Sequence, residues 1–82
     1  MEGKYIQFHV IEIKPKTKVY GVYTINTDDL IGTIKWHPSW RQYCFFPLTD
    51  TVWSNGCLQD IHNFIYQISY EQKAHLKTEG KP

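Results

Sequence analysis

The stretch that most constrains the fold is residues 36–47, in which five of the twelve side chains are aromatic, against 16% in the whole chain. It predicts the end of one strand, a tight turn at Pro38 and Ser39, and a second strand that stops at Pro47, because proline has no N–H to donate to a sheet. Aromatic side chains bury the most area per residue, and a small core depends on that area. The stretch therefore predicts a β-hairpin at the centre of the molecule.

Length and composition predict one folded domain. A chain of 82 residues lies near the lower limit for a core without disulfides or metals, and its 41% of hydrophobic residues is typical of a globular protein. We expect a single α+β domain over residues 1–82, with residues 77–82 as a frayed tail.

Two cysteines are too few for a disulfide framework. We find neither a secretory signal nor the run of about 20 apolar residues that a spanning helix needs, so we expect a cytoplasmic protein with no membrane association.

Four stretches alternate apolar with polar residues or concentrate β-branched and aromatic ones, and they predict strands over residues 4–13, 19–25, 30–36 and 41–46. The alternation of the first stretch changes parity after Val10, which indicates a β-bulge. Gly32 lies inside the third stretch, which indicates close backbone packing or a further bulge. Turn-forming residues at 14–18 and 26–29 separate the first three strands.

A helix is predicted from about Cys57 to about Leu76, capped by the side chain of Ser54 or Asn55. Its apolar side chains recur at three- and four-residue steps on one stripe, at Leu58, Ile61, Phe64, Ile65, Ile68 and Leu76. Four strands with hairpin-length connections and then one amphipathic helix predict a four-stranded antiparallel meander, with the C-terminal helix packed on one face. The other face has no second layer in this chain, so it must meet either water or a partner.

The predicted hairpin also supplies the candidate ligand-binding residues. Side chains alternate along a strand, so Lys35 and His37 share one face of the third strand. On the fourth strand, Arg41, Tyr43 and Phe45 share one face. If both sets lie on the uncovered side, they combine cations with rings, which suits stacked bases and phosphates. With the tryptophans beside the turn, the candidate set is Lys35, Trp36, His37, Trp40, Arg41, Tyr43 and Phe45.

Each of these residues also has a purely structural interpretation. Aromatic side chains in strands commonly belong to the core or to cross-strand pairs. Arg41 could stack on a ring or pair with Asp50. Lysines in the first turn could serve only to keep the sheet edge soluble. The same face would equally suit a protein partner or a second copy of the chain.

The sequence contains no motif for a metal or for catalysis. A structural zinc site needs four converging ligands, and Cys44, Cys57, His37 and His62 show no spacing typical of one. Cys57 and His62 lie about 140° apart around a helix, so they do not form a nucleophile–base pair. We therefore expect no cofactor, no metal and no enzymatic activity, and we rank a hydrolase using Cys44 or Cys57 last.

Residues 31–47 resemble a family of small proteins carried by bacteriophages and prophages. The family core is G-x-I-x-W-x-x-x-W-R-Q-Y-x-F-x-P, which runs here from Gly32 to Pro47. A C-L-x-D-I-x-x-F-I helix start follows, here from Cys57 to Ile65. The resemblance covers roughly the second half of the chain and implies a viral or mobile-element origin and a bacterial cytoplasmic setting. It implies no particular activity.

Two classes of function are consistent with these observations. The net charge of +1 gives no bulk attraction to nucleic acid, so any basic patch must be local. Our leading expectation is a non-enzymatic binding protein in which Trp40 and Tyr43 stack on a base while Lys35 and Arg41 hold phosphate. The ligand would be a nucleotide signal or nucleic acid, and the role would be counter-defence.

The alternative is a protein–protein interaction module that uses the same face, either as an inhibitor of a host protein or as a self-associating dimer. Salt dependence distinguishes the two classes, because phosphate binding weakens steeply with salt and apolar docking does not.

Overall fold

The structure, a computed structural model, describes residues 5–79, with side chains described as far as residue 72. Its elements in chain order are β1 (Ile6–Ile13), β2 (Lys18–Thr24), β3 (Leu30–His37), β4 (Gln42–Pro47) and α1 (Asn55–Glu79). The four strands form one sheet in the order β1-β2-β3-β4, and every neighbouring pair is antiparallel. The predicted α+β meander with one C-terminal helix is therefore confirmed.

The predicted irregularities in the sheet are also present. The pairing of β1 with β2 shifts register between Val10 and Glu12, which is the expected bulge. Gly32 is a point of close packing, because a Cβ there would lie 2.5 Å from Cε1 of Phe45 and 3.1 Å from the carbonyl oxygen of Phe46. The bulge leaves Ile11 without a paired residue on β2, and at Gly32 a larger residue would not fit.

The core lies between the sheet and one face of α1. Its buried members are Ile6, Phe8, Val22, Ile34, Tyr43, Ile61, Phe64 and Ile68. The rings of Phe8 and Phe64 stack with centroids 4.0 Å apart, and this contact joins β1 to the helix. Burying a large apolar side chain stabilises a fold by roughly 1.5–3 kcal/mol, so eight such residues supply most of the driving force in a chain this short.

Helix α1 begins where the sequence predicts and continues beyond the predicted end. The Ser54 hydroxyl oxygen accepts a hydrogen bond from the Cys57 N–H at 3.2 Å, which makes Ser54 the N-cap. Residues 77–79, which we expected in a tail, belong to the helix, and residues 80–82 lie outside the described part of the chain.

The predicted apolar stripe of α1 needs one correction. Leu58 is 49% exposed, whereas its neighbour Cys57 packs against the core. At about 100° per residue, Cys57 lies closer than Leu58 to the direction that Ile61, Phe64 and Ile68 share around the helix. Ile65 packs against the core as expected, and the side chain of Leu76 lies outside the described residues.

The helix is anchored along the length of the sheet. Near its start, the backbone of Gly56 lies against the ring of Tyr5, just before β1. Sixteen residues later, the Gln72 side-chain amide donates to the carbonyl oxygen of Lys16 at 2.9 Å, in the turn after β1.

Among residues 5–79 no second layer covers the opposite face of the sheet, which we call the uncovered face. In the same range, no helix is long and apolar enough to cross a membrane.

Candidate functional site

The candidate site is organised by the turn between β3 and β4. His37 pairs with Gln42, so the turn consists of residues 38–41. The Arg41 N–H donates to the carbonyl oxygen of His37 at 2.7 Å and closes the turn. Arg41 has a φ of 57°, the left-handed conformation that such a four-residue turn needs in order to rejoin the sheet.

This turn places the candidate residues of β4 on the opposite side from the one our hypothesis required. Directly paired residues of antiparallel strands point to the same face, and Trp36 pairs with Tyr43 while Ile34 pairs with Phe45. Ile34 is in the core, so Tyr43 and Phe45 face the helix rather than the uncovered face. Tyr43 is only 5% exposed. The grouping of Tyr43 and Phe45 with Lys35 and His37 on one exposed face is therefore wrong.

Three candidates do meet on the uncovered face, and β4 adds a fourth residue to them. The ring of His37 stacks on that of Trp40, with centroids 4.5 Å apart and planes within 16°. On its other flank lies the ring of Phe46, parallel within 3° at 6.5 Å. The ammonium of Lys35 lies 4.7 Å from the centre of the Phe46 ring. We call Trp40, His37 and Phe46 the ring row.

One hydrogen bond fixes the position of the Trp40 end of the row. The Trp40 backbone N–H donates to Nδ1 of His37 at 3.3 Å, so Nδ1 carries a lone pair in this arrangement. The Trp40 side chain nevertheless remains 65% exposed. The result is a row of parallel rings with an exposed tryptophan at the turn and the Lys35 ammonium at the Phe46 ring.

Sequence reasoning missed Phe46, although its signal was present. A four-residue turn pairs residue 37 with 42 and therefore residue 33 with 46, as the structure shows. The sequence analysis did not fix which residues of β3 and β4 pair, and it grouped Tyr43 and Phe45 with Lys35 and His37 only on the condition that both sets lie on the uncovered side. Phe46 would have been found by counting the turn as Pro38 to Arg41.

Trp36 and Arg41 lie on the helix side of the sheet, away from the ring row. With residues of α1 they line a groove of about 380 Å³, which we call the hairpin–helix groove. The residues that line it are Trp36, Arg41 and Gln42 of the hairpin and Tyr66, Ser69, Tyr70 and Gln72 of α1. Among the residues with described side chains, no carboxylate pairs with the Arg41 guanidinium, and the Asp50 pairing that we considered is not formed.

Two tyrosines inside the fold have perturbed acidity. Burial raises the pKa of Tyr20, and repulsion from Tyr43 and Glu71 adds to the effect. Burial also raises the pKa of Tyr43, partly offset by the Lys18 backbone N–H, which donates to its hydroxyl oxygen at 3.4 Å. Both phenols therefore remain neutral at physiological pH and act as packing groups.

The two thiols lie far from each other in the fold. Cys44 and Cys57 are both free and half-buried, and they lie on opposite sides of the sheet. Among the described residues, no group of three or more His, Cys, Asp or Glu side chains converges to hold a metal ion. The arrangement offers stacking surfaces and single cations, which are the elements of a binding site.

Comparison with known proteins identifies a relative from a bacteriophage. The "Uncharacterized 9.3 kDa protein" of Acholeplasma phage L2 is 33% identical to this chain over 73 residues. The alignment covers 85% of this chain and 91% of the relative. No family model and no solved structure matches the chain.

Proposed function

Since the chain belongs to the same family as this small phage protein, we propose that it is a non-enzymatic binding protein that holds a nucleotide-bearing ligand on the uncovered face of its sheet. The observation that carries the proposal is the ring row of Trp40, His37 and Phe46, with the Lys35 ammonium beside it. Parallel rings next to a cation supply the two contacts that a nucleotide needs, one for the base and one for the phosphate.

The energetics favour a ligand with more than one contact point. Stacking on an aromatic side chain contributes about 1–3 kcal/mol per base. Trp40 is the most exposed member of the row and supplies the first stacking surface. Lys35 acts as a point charge rather than a bidentate clamp, so it favours phosphate without demanding one orientation. His37 and Phe46 take the stacking role that the sequence analysis gave to Tyr43.

The setting of the proposal is the cytoplasm of an infected bacterium. Sequestering a nucleotide signal there would remove it from the host, which is a counter-defence role, whereas binding single-stranded nucleic acid would serve the phage's own genome or transcripts. Both ligands carry bases and phosphates that the ring row would contact. The same titration can therefore be run with one probe of each kind, and the probe that binds identifies the class of ligand.

The test is a titration of the isotope-labelled protein with two probes, single-stranded octathymidylate and cyclic diadenylate, followed by NMR chemical shifts. We expect saturable shifts centred on Trp40, His37 and Phe46. Trp40→Ala should weaken binding by tenfold or more, the equivalent of about 1.4 kcal/mol. Tyr70→Ala is the matched control, because Tyr70 is 69% exposed but lies on the helix side.

The salt dependence of the binding affinity provides a second test in the same titration. If Lys35 neutralises one phosphate, Lys35→Ala should reduce the slope of log affinity against log salt by about 0.7 for a single strand. Affinity that does not change with salt, or that survives Trp40→Ala, would refute the proposal. A concentration-dependent dimer abolished by Trp40→Ala, with no response to either probe, would instead establish the rival function of a protein–protein interface on this face.

A further inference from the structure

The fold separates the charges of a nearly neutral chain. Because the strands form an antiparallel meander, the turns at residues 14–17 and 38–41 lie at one end of the sheet, which we call the lysine end. The turn at residues 25–29, the loop at residues 48–54 and the start of α1 lie at the other end, which we call the aspartate end.

The two ends differ in the sign of their charge. Among the described side chains, those toward the lysine end are five cations and two acids, Lys14, Lys16, Lys18, Lys35, Arg41, Glu12 and Glu71. Those toward the aspartate end are all acidic, at Asp28, Asp29, Asp50 and Asp60. A net charge of +1 for the whole chain therefore conceals a local concentration of positive charge.

The turn that carries most of this charge is held in place on two sides. The Lys14 N–H donates to the carbonyl oxygen of Thr17 at 2.9 Å and closes the turn. The Gln72 side chain of α1 donates to the carbonyl oxygen of Lys16, also at 2.9 Å. The side chains of Lys14, Lys16 and Lys18 are all exposed. These three residues, which we call the lysine triplet, extend from a backbone that does not need to become ordered on binding, and this lowers the entropic cost of binding.

The cations of the lysine end are little neutralised by acids of the fold. Within the described part of the chain, Lys14 pairs with Glu12 at 4.0 Å between two exposed groups, and none of the other lysines forms an ion pair. Protection of a sheet edge does not explain Lys18, since it belongs to β2, an interior strand. The charge is therefore available to an anionic partner.

The ring row begins at this same end of the molecule. Trp40 belongs to the turn at residues 38–41, on the β3–β4 hairpin. The lysine triplet lies on the β1–β2 hairpin, two strand spacings or about 10 Å across the sheet. Nucleotides in a stacked strand are about 3.4 Å apart, so this distance corresponds to about three nucleotides. A strand of several nucleotides reaches both features, whereas a single nucleotide stacked on Trp40 does not.

The two features together also specify a single strand. A base must be unpaired and unstacked before it can lie on an aromatic side chain, and in a duplex the bases are stacked on one another. Lysines without an acidic partner suit the regular phosphates of a backbone, because an ammonium group favours phosphate without requiring one orientation. A free nucleotide would use the rings and leave the lysine triplet without a ligand.

We infer that the lysine triplet is a phosphate-binding site for a single-stranded nucleic acid that crosses the lysine end of the sheet from the ring row to the β1–β2 turn. This inference rests on the proposed function, because the bases are held by the ring row. It adds the class of ligand, a polynucleotide rather than a free nucleotide, and it adds Lys14, Lys16 and Lys18 to the site.

The test is an NMR titration with dithymidylate and octathymidylate of the wild type and of a variant with Lys14→Gln, Lys16→Gln and Lys18→Gln. We expect the variant to bind dithymidylate as the wild type does, because two nucleotides occupy only the ring row. For octathymidylate its affinity should fall by about tenfold or more, and the slope of log affinity against log salt should fall by about 2. Length alone adds ways for a strand to bind, so the deciding comparison is between the two proteins.

A charge-matched control separates a local site from net charge. Asn55→Asp, Gln59→Glu and Asn63→Asp together lower the net charge by the same amount at exposed positions in the first half of α1. At about 0.15 M salt, charges more than roughly 8 Å from the strand are largely screened. The control should therefore bind octathymidylate nearly as tightly as the wild type. Unchanged circular dichroism of both variants shows that a loss of binding does not come from unfolding.

Several results would overturn the inference. They are equal octathymidylate binding by the wild type and the lysine variant, an equal loss in the charge-matched control, or a duplex that binds as tightly as the single strand. If Trp40→Ala abolishes dithymidylate binding and the lysine variant changes nothing, the proposed function stands and the inference fails. If no probe shifts the ring row, both fail. Self-association that the lysine variant abolishes, without a response to oligonucleotides, would instead join the lysine end of one copy to the aspartate end of another.

Discussion

At the scale of single residues, Arg41 combines an unfavourable backbone conformation with an exposed cationic side chain. Its φ of 57° is the left-handed region, which costs a residue with a Cβ about 1–2 kcal/mol. Glycine would occupy the same position without that cost. The guanidinium is exposed and without a carboxylate partner in the described part of the chain, so the side chain adds no ion pair to the fold there.

We therefore predict that Arg41→Gly is more stable than Arg41→Ala by about 1 kcal/mol, since only glycine relieves the left-handed backbone. Urea unfolding of both variants measures the difference. Equal stability of the two variants would mean that the turn changes conformation when Arg41 is replaced.

Tyr20 and Tyr43 provide a prediction about pH. Burial raises the pKa of both phenols, so the folded state holds these protons more tightly than the unfolded state, whose tyrosines titrate near 10. The contribution of these two phenols to the free energy of unfolding is fully present below pH 10 and is lost as the pH rises through their folded-state pKa values. Urea unfolding at pH 9 and pH 11 should show this loss, and Tyr20→Phe should reduce it. An equal loss in the Phe variant would place the titrating group elsewhere.

At the scale of elements, most of the fold follows from local sequence patterns. The strands and the helix begin and end within about two or three residues of their predicted limits, because alternation, proline and capping residues act locally. The pairing of β3 with β4 could not be predicted from these local patterns, because it depends on the length of the turn that contains Arg41. A one-residue change in register exchanges the two faces of a strand. That is why Lys35, His37 and Trp40 were placed correctly on an exposed face and Tyr43 was not.

The close approach at Gly32 tests the packing of this hairpin. Gly32→Ala should destabilise the fold by about 1–3 kcal/mol, because its Cβ would meet the Phe45 ring at 2.5 Å and the backbone oxygen of Phe46 at 3.1 Å. Gly21→Ala is the control: the three atoms nearest to its Cβ would all belong to the side chain of Tyr23, which can move. Differential scanning calorimetry should give the larger fall in Tm for Gly32→Ala, and the reverse order would contradict the described register.

At the scale of the whole molecule, one helix covers only one of the two faces of the sheet. The eight-residue core forms on one side, and the β3–β4 hairpin presents side chains to both. On the uncovered face it carries the ring row, and on the helix side it forms one wall of the hairpin–helix groove. The pattern of four strands and one helix could predict that a face would remain uncovered. It could not predict the groove, because that depends on where α1 lies across the strands.

The most direct test of the central claim is native mass spectrometry of the protein purified from phage-infected bacteria, alongside its Trp40→Ala and Tyr70→Ala variants. We predict that the wild type and Tyr70→Ala retain an extra mass of nucleotide size that is released on denaturation, and that Trp40→Ala retains none. A bare chain or a bare dimer in all three samples, or the same extra mass on Trp40→Ala, would contradict a nucleotide site at the ring row.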